Sequence, residues 1–218
     1  MARAIGIFGG TFDPVHFGHL RAALEARELL GLQDFRLLPS GTPPHRSVTM
    51  ASSQHRLAML RQAVAAYPEF SVDDRECRRE GRSFMTDTLA DIRSGAGDKP
   101  LILIIGQDAA NGLDRWHEWQ SLFELAHIAI MRRPDSQTSW SPALQAQMKG
   151  RLVARAHELL KQPAGSVLNL QVTQLAISST DIRQRIKDGR SARFLLPDAV
   201  IDYIEQNRLY FAGQPRKG

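Results

Sequence analysis

The chain has 218 residues, of which 43% are hydrophobic, and it carries a net charge of +5 at pH 7. This composition can fill a globular core, and no run of 18 or more apolar residues predicts a membrane span. The N-terminus lacks the charged region, apolar segment and cleavage site of a secretory signal, so we expect a cytoplasmic protein.

The single cysteine and the positive charge narrow the function classes. Cys77 has no partner for an internal disulfide, which fits a reducing compartment. Neighbouring arginines lower a thiol pKa, but no His or Asn pattern marks a nucleophile, so we interpret Cys77 as an incidental thiol. The net charge favours an anionic partner. No basic run is interleaved with aromatic residues as in a nucleic-acid platform, but the charge alone leaves nucleic acid, an anionic small molecule and a merely soluble surface open. The motifs below decide this choice, and with them we predict neither a nucleic-acid nor a membrane partner.

Short apolar segments alternate with helical patterns along the chain. The predicted strands are 4–8, 35–38, 70–72, 101–105, 128–131 and 167–172. The predicted helices are 20–30, 52–66, 83–93, one between the fourth and fifth strands, and two that begin near residues 179 and 197. This alternation, with continuously apolar strands, predicts an α/β fold: a Rossmann-like, doubly wound parallel sheet with helices on both faces. The polar segment 135–164 gives the weakest pattern, and we expect it at the periphery.

The sequence "IGIFGGTFDPVHFGH" follows the first predicted strand into the first helix. In a doubly wound sheet, ligands bind beyond the carboxyl ends of the strands. Gly9 and Gly10 would let the backbone approach a ligand closely and adopt positive φ. Free N–H groups here and at the following helix start predict an anion site. The segment contains neither the Walker A pattern nor G-x-G-x-x-G.

Two histidines stand at the start of the first helix. His16 and His19 are three residues apart and share a helix face, and Gly18 between them leaves space for a flat ligand. Two imidazoles beside backbone donors suit the α-phosphate of a nucleotide. The alternatives are a capping group and half of a zinc site, although no Cys, His or carboxylate pattern completes a zinc site nearby.

This segment resembles the signature of the nucleotidyltransferase superfamily, whose H-x-G-H motif binds ATP phosphates. More closely, the chain resembles the bacterial nicotinate-nucleotide adenylyltransferases over nearly its full length. The matching motifs, in chain order, are "GGTFDPVHFGH", "PSGTPPHR", "SFMTDTL", "IIGQDAANGLDRWHEW", "RRP" and "ISSTDIR". The middle motifs in this order are typical of the nicotinate-nucleotide branch.

The resemblance implies one nucleotidyltransferase domain over 1–218, with a C-terminal helical part, about 178–210, that completes the ATP site. It implies transfer of AMP from ATP to nicotinate mononucleotide by direct in-line attack, in NAD biosynthesis. The attacking phosphate is already ionised near neutral pH, so catalysis would consist of positioning and charge stabilisation. We expect Mg²⁺ to enter with ATP, held by phosphates and water, and we predict no protein metal site.

"ISSTDIR" is in itself a good helix N-terminus with spare N–H donors, and Arg183 lies one turn in. The resemblance implies that this helix start grips the ATP phosphates opposite the histidines. His19 would bind the α-phosphate, His16 would contact phosphates nearby, and Arg183 would hold the leaving pyrophosphate. The implied ATP-binding residues are Gly9, Gly10, Thr11, Phe12, His16, His19, Ile177, Ser178, Ser179, Thr180 and Arg183.

The acceptor side is implied by the middle motifs. Ser83 is a candidate cap for a helix with Thr86 in its first turn, and the resemblance places this helix start against the nicotinate carboxylate. Asp108 follows a strand, where it could cap a helix or bind a ribose. Trp116 and Trp119 are three apart on a predicted helix, so we expect one in the core and one exposed. The implied nicotinate mononucleotide-binding residues are His45, Arg46, Thr86, Asp108, Trp116 and Arg133.

The chain departs from the family pattern in the third motif. Relatives usually have tyrosine where Phe84 stands and a smaller residue where Met85 stands, so no role is expected for a ring hydroxyl. Relatives often have lysine at the position of Arg46, which keeps the charge.

Two other functions remain open at this stage. One is adenylyl transfer to another phosphorylated acceptor, such as phosphopantetheine or nicotinamide mononucleotide. The other is a nucleotide-binding or regulatory protein that lacks catalysis and uses its basic surface on nucleic acid. The oligomeric state is also open, and a homo-oligomer is compatible with the sequence.

Overall fold

A computed structural model describes residues 4–42, 49–132, 138–173 and 175–212. Within these residues, seven strands form one sheet, in the order β3-β2-β1-β4-β5-β7-β6. Every strand pairing is parallel. The strands are β1 (Ile5–Gly10), β2 (Asp34–Pro39), β3 (Ser71–Val72), β4 (Leu101–Gly106), β5 (His127–Arg132), β6 (Leu152–Val153) and β7 (Val167–Gln171). The predicted fold class is confirmed.

The helices connect successive strands and cover both faces of the sheet. In the described residues they are α1 (Phe17–Leu30), α2 (Ser53–Val64), α3 (Arg75–Arg78), α4 (Met85–Ala96), α5 (Gln107–Asn111), α6 (Leu122–Leu125), α7 (Pro142–Met148), α8 (Ala156–Leu159), α9 (Ser179–Lys187) and α10 (Asp198–Gln206). Two 3₁₀ turns, Leu113–Arg115 and Trp119–Ser121, follow α5. Helix α1 ends at Gly31, whose φ of 63° is a left-handed conformation that suits glycine.

Two apolar clusters sandwich the sheet because successive residues of each strand point to opposite faces. Ile7 and Leu103 belong to the cluster that α4, α6 and α7 cover. Phe8 and Ile104 belong to the cluster that α1, α2, α9 and α10 cover. Burial of each such side chain contributes about 1.5–3 kcal/mol. Burial on both faces explains why the central strands have continuous rather than alternating apolar sequences.

The centre of the sheet positions the site. Strand β1 pairs with β2 on one side and with β4 on the other, so the chain order reverses between β1 and β4. At such a switch point, the loops beyond the carboxyl ends diverge and leave a crevice. The segment that contains the two histidines begins there.

The segment 135–164 contains more structure than its sequence indicates. Its described part includes α7, the edge strand β6 and α8. Strand β6 has two residues, too few to produce a periodic pattern. No helix of the described residues is long and apolar enough to cross a membrane.

Candidate active site

The glycines at the end of β1 allow close packing rather than an unusual backbone conformation. A Cβ on Gly10 would lie 2.8 Å from the ring of Phe12, and a Cβ on Gly9 would lie 3.0 Å from Cε of Met85. The prediction of positive φ at Gly9 and Gly10 is wrong. In this segment it is Phe12 that has positive φ, at 49°.

His16 and His19 form a stacked pair where α1 begins. Their ring centroids are 3.7 Å apart with an interplanar angle of 27°, and the ring of Phe12 packs edge-on against His19 at 5.1 Å. The backbone N–H of His16 donates to Nδ1 of His19 at 3.3 Å. Because Nδ1 accepts this hydrogen bond, neutral His19 carries its proton on Nε2, which becomes a donor.

The two histidines differ in burial. His16 is only 5% exposed, and its Nδ1 has no hydrogen-bond partner among the described residues, whereas His19 is half-buried. Burial lowers the pKa of His16 to about 4, so its ring is neutral at neutral pH. A Cβ on Gly18 would lie 2.9 Å from Nδ1 of His16. The space at Gly18 is therefore occupied by the His16 ring and is not left for a flat ligand as predicted.

The start of α9 packs directly against this segment. Ser178 caps α9, because its Oγ accepts the N–H of Asp181 at 3.1 Å. The hydroxyl of Ser179 donates to the carbonyl of Pro14 at 3.0 Å. The two helix starts implied by the motifs, those of α1 and α9, thus meet at one place.

Arg183 is bound to the same loop. Its Nη1 donates to the carbonyl of Asp13 at 2.6 Å, and its Nη2 donates to Oγ1 of Thr180 at 3.2 Å. A guanidinium has five N–H donors, so further hydrogen bonds to an anion are compatible with these two.

Asp13 is a hydrogen-bond centre that the sequence interpretation did not single out. Its Oδ2 accepts the N–H of Met50 at 2.9 Å, and its Oδ1 accepts the N–H of Ala51 at 3.2 Å and the hydroxyl of Tyr210 at 2.6 Å. Burial raises the pKa of Tyr210 well above its usual range, and the nearby Asp13 carboxylate raises it further. This hydrogen bond connects Tyr210, near the C-terminal end of the described residues, to the loop that contains Asp13 and His16.

Arg56 is a buried cation that the sequence interpretation also did not single out. It is 0% exposed, and it donates to the carbonyl of Thr11 from Nη1 and to the carbonyl of Gly41 from Nη2, both at 2.7 Å. The available signal was a lone cation on the apolar face of α2, since Arg56 shares a buried face with Met59 and Leu60.

Glu76 holds the other side of Gly41. Its Oε2 accepts the N–H of Gly41 at 3.3 Å, and its Oε1 accepts the hydroxyl of Thr88 in α4 at 2.8 Å. Burial raises the pKa of Glu76. A Cβ on Gly41 would clash with the backbone carbonyl of Glu76 and lie 2.6 Å from Oγ of Ser83, so glycine is required there.

The start of α4 differs in detail from the prediction. The cap residue is Phe84, without a side-chain cap, so the prediction that Ser83 caps this helix is wrong. Thr86 is 3% exposed, and its hydroxyl donates to the carbonyl of His117 at 3.4 Å. The rings of Phe84 and His117 face each other with centroids 4.2 Å apart. His117, which the interpretation did not select, therefore joins the acceptor side.

Trp116 and Trp119 do not share a helix. Trp116 follows one 3₁₀ turn and Trp119 begins the next. Both are half-buried against the same apolar cluster, so the prediction of one core and one exposed tryptophan is wrong. Asp108 is exposed in the first turn of α5, whose cap residue is Gly106, so Asp108 does not cap that helix. The predicted His45, Arg46 and Arg133 lie outside the described residues.

The environment of Cys77 supports its interpretation as an incidental thiol. Burial raises the pKa of Cys77, which is the opposite direction to the effect expected from its arginine neighbours in sequence. Its Sγ contacts the carbonyl of Pro39 at 3.5 Å.

Comparison with known proteins identifies the family of this chain. The Cytidylyltransferase-like family matches residues 7–185. A protein of Methylococcus capsulatus named "Probable nicotinate-nucleotide adenylyltransferase" is 51% identical over 207 residues, which cover 94% of this chain and 99% of that protein. A protein of the same name from Pseudomonas putida is 45% identical, covering 96% of each chain. The chain belongs to the nicotinate-nucleotide adenylyltransferase family.

Solved structures support the fold of this family member. The nicotinic acid mononucleotide adenylyltransferase of Plasmodium falciparum, complexed with NaAD, matches with a TM-score of 0.73 at 16% identity, covering 95% of this chain and 97% of that one. The same protein complexed with APC gives a TM-score of 0.69. At this identity the likeness concerns the fold alone.

Proposed function

We propose that this chain transfers AMP from ATP to nicotinate mononucleotide, giving nicotinate adenine dinucleotide and pyrophosphate, in NAD biosynthesis. One observation carries the proposal: the stacked His16–His19 pair lies beside the capped start of α9, with Arg183 bound to the same loop. Two helix starts and two imidazoles at the switch point of the sheet form a site suited to a polyphosphate. The names of the relatives at 45–51% identity support this substrate pair.

The reaction we propose is a single in-line displacement. An oxygen of the nicotinate mononucleotide phosphate forms a bond to the α-phosphorus of ATP, while the bond to the β-phosphate breaks and pyrophosphate leaves. The nucleophile is already anionic, so no base has to remove a proton and no covalent enzyme intermediate is needed. The protein contributes position and stabilisation of negative charge.

Each charged or polar group then has a role. His19 donates from Nε2 to a non-bridging oxygen of the α-phosphate as negative charge builds there. His16, kept neutral by burial, contacts the phosphates nearby and orders the His19 ring by stacking. Arg183 holds the leaving pyrophosphate with the N–H donors that do not serve Asp13 and Thr180. Backbone groups of residues 9–12 and 177–180 complete the ATP contacts.

The acceptor lies, in this proposal, at the start of α4. Its free N–H groups favour a carboxylate over a neutral carboxamide. The hydroxyl of Thr86 is engaged with His117, so we propose that Thr86 contributes its backbone N–H. Trp116 stacks on the nicotinate ring, and the exposed Asp108 binds the ribose. His45, Arg46 and Arg133 remain predicted ligands of the acceptor.

Mg²⁺ fits this site as a partner of ATP. Among the described residues, no group of three or more His, Cys, Asp or Glu side chains could hold a metal ion. Both carboxylate oxygens of Asp13 already accept hydrogen bonds. Such a site suits an ion held by phosphate oxygens and water, which would neutralise polyphosphate charge. We also propose a cytoplasmic location, with which the single thiol, Cys77, agrees.

The test is pyrophosphate release from ATP and Mg²⁺ with three acceptors: nicotinate mononucleotide, nicotinamide mononucleotide and phosphopantetheine. We expect the fastest release with nicotinate mononucleotide. Faster release with either other acceptor would replace the proposed substrate. Salt-sensitive binding of a long oligonucleotide without any turnover would favour the non-catalytic alternative.

A further inference from the structure

Arg56 joins two loops that serve different substrates. We propose that Arg56 is a positioning residue for adenylyl transfer, which sets the ATP loop after β1 at a fixed distance from Gly41. Gly41 is the base of the loop after β2 that leads to the predicted acceptor ligands His45 and Arg46, here called the acceptor loop. This inference rests on the proposed function, because it assigns ATP to one loop and nicotinate mononucleotide to the other. It concerns a residue that touches neither substrate.

The geometry is that of a bridge between adjacent strand ends. The paired register of β1 and β2 ends at Gly10 and Pro39, followed by a hydrogen bond from the N–H of Ser40 to the carbonyl of Gly10 at 2.9 Å. Arg56 continues the connection beyond these strand ends, because its Nη1 donates to the carbonyl of Thr11 and its Nη2 donates to that of Gly41.

The bridge extends to the acceptor helix. Gly41 is held on both sides, by Arg56 at its carbonyl and by Glu76 at its N–H. Glu76 in turn accepts the hydroxyl of Thr88 in α4. We call these five residues, Thr11, Arg56, Gly41, Glu76 and Thr88, the Arg56–Glu76 bridge. It connects the ATP loop, the base of the acceptor loop and the helix whose start faces the nicotinate carboxylate.

The chemistry of these contacts makes the bridge stiff. Hydrogen bonds from a guanidinium are charge-assisted and are held in a planar fork of fixed spacing. Arg56 and Glu76 are 0% and 3% exposed, so water does not compete for the carbonyl and N–H groups. A shift of one loop relative to the other would break at least one of these buried hydrogen bonds.

This stiffness matters for an in-line reaction between two separately bound substrates. The reaction requires the attacking oxygen and the α-phosphorus to be held in line, and a misplacement of about 1 Å can reduce the rate by about 10²-fold. Each substrate contacts its own loop, so a loosened bridge leaves the separate binding sites intact. The loss therefore falls on kcat rather than on either KM.

A matched control separates positioning from simple stabilisation. Arg93 also holds carbonyl groups with its guanidinium, including those of Leu125 at 2.6 Å, Lys99 at 2.7 Å and Pro163 at 2.9 Å. These contacts lie beside Leu101, where β4 begins, so they are at the amino-terminal ends of the strands, whereas the site lies beyond the carboxyl ends. Arg93→Lys thus removes the same kind of clamp far from the substrates.

The test compares Arg56→Lys with Arg93→Lys by steady-state kinetics, with each variant corrected for its folded fraction. Lysine keeps the charge but has no planar fork to hold two carbonyls. We expect Arg56→Lys to lower kcat by about 10- to 100-fold, with both KM values within about threefold of wild type. Arg93→Lys should keep kcat within about twofold while lowering the midpoint of urea unfolding. Wild-type kcat in folded Arg56→Lys, or an equal loss in both variants, would overturn the proposal.

A second variant covers the case in which Arg56→Lys does not fold. Thr88→Val has nearly the same shape, but it lacks the hydroxyl that donates to Oε1 of Glu76, so it separates α4 from the rest of the bridge. We expect a reduction of kcat by about three- to tenfold with unchanged KM values. An unchanged kcat in this variant would equally overturn the proposal. If the wild-type protein fails to turn over nicotinate mononucleotide, it is the proposed function that fails.

Discussion

The imidazole of His16 lies against that of His19 at 3.7 Å, and the N–H of His16 donates to Nδ1 of its neighbour. One contact orders the His19 ring and the other selects its tautomer. The H-x-G-H motif thus combines a buried neutral histidine with a half-buried donor, and Gly18 between them is small enough to admit the His16 ring. The pair has two distinct roles, which can be tested separately.

Substitutions of His19 should reveal which nitrogen acts on the α-phosphate. We expect His19→Ala to lower kcat by about 10²-fold or more, as does the loss of an oxyanion donor. His19→Gln, whose amide nitrogen occupies roughly the position of Nε2, should recover part of this loss, whereas His19→Asn should not. Steady-state pyrophosphate release measures all three. Equal rates for the Gln and Asn variants would contradict donation from Nε2.

The burial of His16 should make stability depend on pH. Its pKa is about 4 in the folded protein and 6.5 when unfolded, so the unfolded state binds the proton first as pH falls. The stability that depends on a neutral His16 ring is therefore fully present above about pH 6.5. About 3 kcal/mol of the free energy of unfolding is lost as the pH falls to about 4. Urea unfolding across this range should show a shallower slope for His16→Asn than for wild type. Burial also lowers the pKa of His127, which remains in both proteins and supplies a residual slope. Identical slopes would remove His16 from this account.

The hydroxyl of Tyr210 should stabilise the loop that carries Asp13. Tyr210→Phe removes one hydrogen bond to a buried carboxylate, so we expect a loss of about 1.5–3 kcal/mol in the free energy of unfolding. The matched variant is Tyr203→Phe, which removes a hydrogen bond to the His55 ring at a half-buried position. This control should lose less than about 1 kcal/mol. Denaturant unfolding of both proteins compares the two losses, and the reverse order would contradict the importance of Asp13.

Substitution of Trp116 should weaken binding of the acceptor and leave binding of ATP unchanged. Trp116→Leu removes a stacking partner worth about 0.5–1.5 kcal/mol, so we expect KM for nicotinate mononucleotide to rise by about two- to tenfold. KM for ATP should not change. Trp119→Leu serves as the control because Trp119 packs edge-on against the core residue Phe123. It should reduce stability and leave both KM values near wild type. If KM for the acceptor rose in the Trp119 variant and not in the Trp116 variant, Trp119 rather than Trp116 would be the stacking residue.

The fold was largely predictable because its signals are local. The continuously apolar strands at 101–105 and 128–131 are recognisable from composition, since both faces of the central sheet are covered. Strand β6 was not predicted because a strand of two residues is too short to show a periodic apolar pattern. The predicted helix through Trp116 and Trp119 was wrong because two tryptophans three residues apart are also compatible with separate 3₁₀ turns.

The site was predictable where a motif is contiguous and not where it depends on distant contacts. His16, His19 and the start of α9 each belong to a short local pattern. Arg56 contacts a carbonyl 45 positions away in sequence, and Tyr210 contacts a carboxylate 197 positions away. No local pattern specifies such pairs, which only the sheet topology brings together.

The most direct test of the central claim is a competition between the two pyridine mononucleotides. The protein would receive ATP labelled at the α-phosphate, Mg²⁺, and equal concentrations of nicotinate and nicotinamide mononucleotide. The account predicts that label accumulates mainly in nicotinate adenine dinucleotide, one labelled product for each pyrophosphate released. Equal labelling of the two dinucleotides, or pyrophosphate release without a labelled dinucleotide, would contradict it.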